Sequence, residues 1–154
     1  HEPSISVRLD ETVRAVRAKV KASPKVGVVL GSGLGAFADS LSDLVKVPYA
    51  ELPHLPASKV VGHAGNLCFG NVEDVPVVCM QGRVHLYEGH PVWQVVHGVR
   101  AMARLGVSCV LVTNAAGGMT KNELDHKEVE ETAKARRADL QRLLRGWILK
   151  AGRA

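Results

Sequence analysis

Residues 26–35, Val-Gly-Val-Val-Leu-Gly-Ser-Gly-Leu-Gly, constrain this chain more than any other stretch. A short apolar run of strand character ends in a serine framed by glycines, so the chain must leave an extended segment through a sharp turn that glycine adopts without steric cost. Backbone N–H groups aimed inward, the positive end of a helix predicted to begin at Ala36, and the Ser32 hydroxyl together make an anion cradle. Its natural guest is a phosphate. Gly31, Gly33 and Gly35 lack the spacing of a dinucleotide fingerprint, and on this loop alone a tight turn with no ligand is the alternative.

A chain of 154 residues, 46% of them hydrophobic, is the size of one domain with one core, and residues 1–154 are read as a single domain. No apolar run approaches the ~20 residues of a membrane span, and the start lacks a secretory layout, which predicts a soluble, cytoplasmic protein with no membrane partner. His1 in place of methionine suggests a start that is processed or introduced for expression, so nothing is built on the first few residues. Cys68, Cys79 and Cys109 sit in apolar runs; an odd count without paired spacing predicts reduced core thiols, no disulfide framework and no metal site. The net charge of +5 is spread along helices, with Glu128, Glu130, Glu131 and Asp139 interleaved among Lys127, Lys134, Arg136, Arg137, Arg142 and Arg145. That is the pattern of a solvated face, and with so few aromatics no nucleic-acid partner is expected.

Val13, Val16 and Val20 recur at helical spacing and predict a helix over 10–22, leading into a strand at 26–30. A short helix is expected over 36–45, then irregular chain between Pro48 and Pro56. The runs 66–72 and 75–80 around Glu73-Asp74 read as a hairpin. Pro91 opens a helix whose apolar face holds Val92, Val95, Val96, Val99, Met102 and Ala103; Gly106 closes it before a strand over 107–113. A capping-box-like Asp125-His-Lys-Glu128 starts a long last helix with an apolar stripe through Val129, Ala133, Leu140, Leu143, Leu144, Trp147 and Ile148. Strands alternating with helices predict an α/β fold, a mixed sheet flanked by helices.

Three polar clusters follow strand-like runs, where ligands bind in open α/β sheets: 31–33, 81–85 (Gln-Gly-Arg-Val-His) and 113–118 (Thr-Asn-Ala-Ala-Gly-Gly). Arg83 and His85, two apart in an extended segment, point the same way and offer a guanidinium fork and an imidazole to one anion. The loop at Ala115 adds backbone amides. A surface ion pair for Arg83 and a packed core histidine for His85 are the alternatives for each residue alone.

The stretches 30–35, 61–65 (Val-Gly-His-Ala-Gly), 80–89 (Met-Gln-Gly-Arg-Val-His-Leu-Tyr-Glu-Gly) and 112–118 resemble the trimeric type of purine nucleoside phosphorylase. The resemblance implies that Ser32, Arg83, His85 and the Ala115 amide bind phosphate, that His63 belongs to a loop near it, and that Tyr87 packs on the ribose. It further implies phosphorolysis of a purine nucleoside to free base and ribose 1-phosphate, with inorganic phosphate as co-substrate and no cofactor. A dianion beneath the sugar would stabilise an oxocarbenium-like transition state and serve as nucleophile.

Residues 1–118 resemble the family's first half and 125–150 its C-terminal helix, which implies a truncated phosphorylase-like fold with a large internal deletion between Gly118 and Asp125. The family's base-recognising glutamate and a further phosphate-binding serine have no match. Asn114 is the candidate to replace the base-binding asparagine, as a catalytic residue beside His85, and His126 the candidate for the ribose 5′-hydroxyl. Keeping Ala115 in its phosphate role conflicts with that use of Asn114, since one loop would then occupy two places. Apolar edges left uncovered would favour a homo-oligomer or a rearranged fold. A non-catalytic phosphate- or nucleotide-binding module is the alternative to the enzyme. A glutamate near the cradle would favour the enzyme; Glu88 and Glu123 are the nearest candidates in sequence, and Glu88 is expected to tie down its own loop instead.

Overall fold

Val26–Leu30 forms β1, which lies between two parallel neighbours in a five-stranded mixed sheet of order β2-β3-β4-β1-β5. The computed structural model describes residues 2–57, 65–113 and 126–154, the last range without the side chains of residues 126 and 128–130. Helix α1 spans Ile5–Lys19 and the one-turn α2 Ala36–Asp39; β2 is Ser42–Pro48, β3 Asn66–Val72 and β4 Val75–Gln81. They are followed by α3 (Val92–Val95), α4 (His97–Arg104), β5 (Cys109–Val112), α5 (His126–Ala135) and α6 (Arg137–Gly152). The fold is α/β, with a long helix at the C-terminal end.

The first strand and the hairpin form where the sequence puts them, because short apolar runs bounded by turn residues leave little freedom. Val72 and Val75 pair across the Glu73-Asp74 turn, in which Glu73 has φ 52°.

Elsewhere the boundaries move. Helix α1 begins at residue 5, because the Ser4 hydroxyl caps the Val7 N–H at 3.3 Å, and it stops at Lys19 instead of residue 22. The helix expected over 36–45 is one turn long. From Ser42 the chain becomes β2, whose backbone groups pair with β3 through Val45↔Phe69 and Val47↔Leu67. The helix opened by Pro91 is interrupted at Val96, and the last helix is interrupted at Arg136.

Side chains alternate across the sheet and divide the core in two. Val26, Val28, Leu30, Val77 and Cys79 pack with Phe37, Ala38, Leu144 and Ile148 on one face. On the other, Val29, Val78, Met80, Leu67 and Phe69 pack with Val13 and Val16 of α1 and with Met102 and Leu105. Close approach selects small residues here: a Cβ on Gly27 would stand 2.8 Å from Met102 Sδ and 3.2 Å from Val107 Cγ1.

The same closeness corrects the expected face of α4. The buried residues are His97, Gly98, Ala101 and Met102, while Val92, Val99 and Ala103 are exposed. On α6 the stripe is wider than the buried surface, leaving Leu143 and Trp147 exposed. Cys68 and Cys79 face each other across β3 and β4 as free, buried thiols; Cys109 is free and half-buried. Burial pushes the Cys68 thiol up to about 11, which leaves it unreactive.

Candidate functional site

The parallel strands β4, β1 and β5 end together. Leu30 pairs with Gln81 and Val29 with Val112, so the segments after Leu30, Gln81 and Val112 all leave the same carboxyl edge. The antiparallel β3 starts at this edge, where Asn66 pairs with Gln81. Ser32 and Arg83 each lie two residues beyond the paired Leu30 and Gln81, so the register brings their two segments side by side. That juxtaposition is what an anion site between loops requires.

The glycine loop turns at Gly31–Leu34, where the Leu34 N–H donates to the Gly31 carbonyl at 3.2 Å and Gly33 takes φ 75°. Its first glycine is tied to β5. The Gly31 N–H donates to Thr113 Oγ1 at 2.9 Å, and that hydroxyl donates to the Val29 carbonyl at 3.0 Å. Its last glycine is tied to β4, since Gln81 Nε2 donates to the Gly35 carbonyl at 2.9 Å. The other Gln81 contacts are Asp39 Oδ1 at 3.3 Å, Asn66 Nδ2 at 3.1 Å and Cys68 Sγ at 3.6 Å. A hydrogen bond from Lys46 holds the Asp39 carboxyl below its ordinary range, assisted by the Gln81 amide.

Between these ties, the backbone N–H groups of Ser32 and Gly33 and the Ser32 hydroxyl have no partner among the described residues. With the Gly35 N–H, they are the loop's donors without a partner among the described residues. The one-turn α2 is too short for its dipole to add much to an anion site, so the expected helix contribution falls to these amides, the serine and the neighbouring arginine.

After β4 the backbone turns at Gly82, with φ 102°. The buried Tyr49 hydroxyl donates to the Gly82 carbonyl at 2.6 Å, and burial raises the phenol above its ordinary range, so it stays a donor. Beyond the turn, Val84 is buried while Arg83 and His85 are half-buried, the alternation expected of an extended segment. Arg83 makes no ion pair or hydrogen bond among the described residues. His85 does. Glu88 Oε2 accepts its backbone N–H at 2.6 Å and lies 3.4 Å from Nδ1, closing a capping box around the 3-10 turn Leu86–Glu88. Glu88 thus ties down its own loop, as expected. The Tyr87 ring stacks on His85 at 4.8 Å between centroids with 81% of its surface exposed, leaving an open aromatic face beside the imidazole.

His63, Asn114, Ala115 and the inferred junction between Gly118 and Asp125 lie outside the described residues, as does the side chain of His126, which starts α5. Three residues to which the sequence assigned no role have contacts at this edge: Tyr49, and Gln81 and Thr113 at the heads of two predicted polar clusters. Gln81 and Thr113 are the last polar residues before two of the predicted loops, a signal that position alone could have flagged. Tyr49 carried none, because its contact with Gly82 spans 33 positions. Among the described residues no group of histidine, cysteine, aspartate or glutamate is arranged to hold a metal. No described helix is long and apolar enough to cross a membrane.

Comparison with known proteins adds the kinship. Residues 25–129 match the model of the phosphorylase superfamily. Purine nucleoside phosphorylase 1 of Geobacillus stearothermophilus is 44% identical over 114 residues, covering 74% of this chain and 42% of that protein. A crystal structure of purine nucleoside phosphorylase in complex with ribose-1-phosphate superposes with a TM-score of 0.70 at 37% identity, covering 78% of this chain and 44% of that one. A schistosoma purine nucleoside phosphorylase in complex with hypoxanthine gives a TM-score of 0.69 at 35% identity, covering 78% and 42%. The chain spans about two fifths of the length of such relatives.

Proposed function

The chain belongs to the phosphorylase superfamily, within it as kin of the purine nucleoside phosphorylases, and from that premise we propose that it binds inorganic phosphate and a purine nucleoside at the carboxyl edge of β4, β1 and β5. The reaction is phosphorolysis, giving free base and ribose 1-phosphate. The observation that carries this reading is the pairing of unlike states at one edge: Ser32 and Arg83 have no partner among the described residues, while the residues around them are fixed. Open donors on braced loops are what a transferable dianion needs.

The Ser32 hydroxyl, the Ser32 and Gly33 amides and the Arg83 fork orient the phosphate, and His85, held by Glu88, donates to it through Nε2. One phosphate oxygen attacks the anomeric carbon from beneath as the glycosidic bond lengthens. The dianion offsets the positive charge that develops on the sugar, and the open face of Tyr87 covers the ribose. His63 completes the phosphate shell in this reading, the loop after β5 serves either the phosphate through the Ala115 amide or the departing base through Asn114, and His126 meets the ribose 5′-hydroxyl. Phosphate is co-substrate; no cofactor takes part.

The same reading treats residues 1–154 as one domain of a cytoplasmic homo-oligomer. Support for self-association comes from β5, which ends the sheet and exposes Val112, and from α6, which exposes Leu143 and Trp147 among the described residues. Light scattering tests this, and a monomer at high concentration would refute it.

The deciding assay mixes the protein with inosine and phosphate and follows hypoxanthine. Release that requires phosphate and disappears in Arg83→Ala is the expected result. Saturable phosphate binding without release would favour the non-catalytic module, a reading suggested by the 42% span of its relative. Neither release nor binding would end both.

A further inference from the structure

We propose that Gln81 and Thr113 act as a two-sided clamp on residues 31–35, holding the loop in its anion-binding shape from the two strands that flank β1. The inference rests on the phosphate site proposed above and adds two positioning residues to it. Neither side chain needs to touch the phosphate.

These two side chains grip the loop at its ends, while between them Leu34 is buried in the core and its N–H donates to the Gly31 carbonyl. Thr113, one residue past β5, accepts the N–H of Gly31 and donates its own hydroxyl to the Val29 carbonyl, so one hydroxyl bonds two backbone groups, one in β1 and one just beyond it. Gln81, the last residue of β4, reaches the Gly35 carbonyl with one amide proton and Asp39 with the other, while Asn66 donates to its oxygen. Both side chains are buried, 8% and 6% exposed, and their polar atoms are paired, so neither swings freely. A glycine-rich loop has many conformations of similar energy. Fixing its first N–H and last carbonyl removes most of them.

The clamp also decides which amides face the ligand. With the Gly31 N–H turned toward β5 and the Leu34 N–H spent on the Gly31 carbonyl, the donors of Ser32, Gly33 and Gly35 remain without a partner among the described residues, and those of Ser32 and Gly33 lie along the turn. Losing the threonine hydroxyl would free the Gly31 N–H and let the turn tilt, misaligning donors that must converge within hydrogen-bond distance of one phosphate. Losing the glutamine amide would cut the tie of the far end to β4, leaving the Gly35 carbonyl with the Ala38 N–H alone, and would remove the link from Asp39 and Lys46 to β4.

Near-isosteric variants separate this role from bulk stability. Inorganic phosphate is titrated calorimetrically into the full chain and into Thr113→Val, Thr113→Ser, Gln81→Met and Arg83→Ala, each well below its own melting midpoint. The expected result is a loss of phosphate affinity of about tenfold or more in Thr113→Val and in Gln81→Met, with recovery to within about threefold in Thr113→Ser, whose hydroxyl is kept. Where turnover is measurable, KM for phosphate should rise by a larger factor than kcat falls. A purely structural role would lower the melting midpoint and leave the affinity of the folded protein unchanged. If Thr113→Val does not fold, Gln81→Met and Thr113→Ser still decide the matter.

Unaltered phosphate affinity in Gln81→Met and Thr113→Val, beside clear binding by the parent chain and its loss in Arg83→Ala, would overturn the clamp and leave the phosphate site standing. No phosphate binding by the parent chain would overturn the site itself, and the clamp with it.

Discussion

The interface between α1 and α4 and the carboxyl edge of the sheet both bury polar groups, yet they treat them in opposite ways. Between the helices, Thr12 is fully buried; its hydroxyl lies 2.8 Å from the Pro53 carbonyl and 2.8 Å from His97 Nε2. With the hydroxyl proton given to a carbonyl, the neutral His97 donates in return. The Arg8 guanidinium lies 4.0 Å above the Trp93 ring and pairs with Glu2 at 2.8 Å, and His54 meets Glu11 at 2.5 Å. Each of these groups has a protein partner. At the carboxyl edge, Thr113, Gln81 and Tyr49 are paired in the same manner, but Ser32 and Arg83 have no partner among the described residues. Polar groups that only hold the fold are satisfied within it; groups left open inside a braced frame are available to something that arrives.

The sharpest way to break this comparison is Arg83→Ala. It should reduce phosphate affinity by about a hundredfold, the scale of a lost charge-assisted pair, while the melting midpoint stays close to that of the parent. A large fall in that midpoint on a calorimetric scan would mean that Arg83 belongs with the structural group.

The next effect is a pH dependence of stability from the helix interface. Burial, reinforced by the nearby His54, Arg8 and Arg100, pushes His97 down to about 4. The folded chain therefore keeps it neutral where the unfolded chain already binds a proton, so the unfolded state gains as pH falls. Stability should decline from about pH 6.5 toward pH 4 by an amount on the order of 3 kcal/mol, and this contribution should be fully present above pH 6.5. Urea titrations across that range test it. A flat profile, or the same slope in His97→Gln, would remove His97 as the cause.

Thr12→Val is smaller in effect. It leaves His97 Nε2–H and the Pro53 carbonyl without their buried partner, and should cost about 1–3 kcal/mol in urea denaturation without altering phosphate binding. At the bottom of the scale stands Lys19→Ala. Its pair with Glu51 is half-exposed, and its removal should change stability by no more than about 0.5 kcal/mol. A larger loss would show that exposed pairs contribute here as buried ones do.

Legibility in the sequence followed how local each determinant was. The strand at 26–30 and the hairpin around Glu73-Asp74 were readable because apolar runs and turn residues lie next to one another. The segment 41–45 was not, since Leu41, Leu44 and Val45 also suit a helix. Pairing of Val45 with Phe69 decided for a strand, and that partner is 24 positions away. The buried face of α4 escaped for a related reason. A Cβ on Gly98 would come within 2.6 Å of Met80 Cε, so the helix approaches the sheet through its smallest residue and not through its valines.

The candidate site divided along the same line. Ser32, Arg83 and His85 stood out as chemistry-bearing types just beyond apolar runs, and Glu88 as the acid that closes its own turn. Their supports did not stand out, because a threonine, a glutamine and a tyrosine gain a role only from what they reach: Gly31 from Thr113 across 82 positions, Gly35 from Gln81 across 46, and Gly82 from Tyr49 across 33.

By itself, then, the order of residues determined an α/β sheet, a glycine turn after its first strand and the polar groups that leave its carboxyl edge, since period, turn chemistry and side-chain type act over a few neighbours. Only the tertiary structure decided which strands lie beside β1, which helix face is buried, and which donors are spent on the protein and which stay open. Those outcomes depend on contacts between residues tens of positions apart, where hydrogen-bond geometry and close packing select one arrangement from many that the local sequence allows.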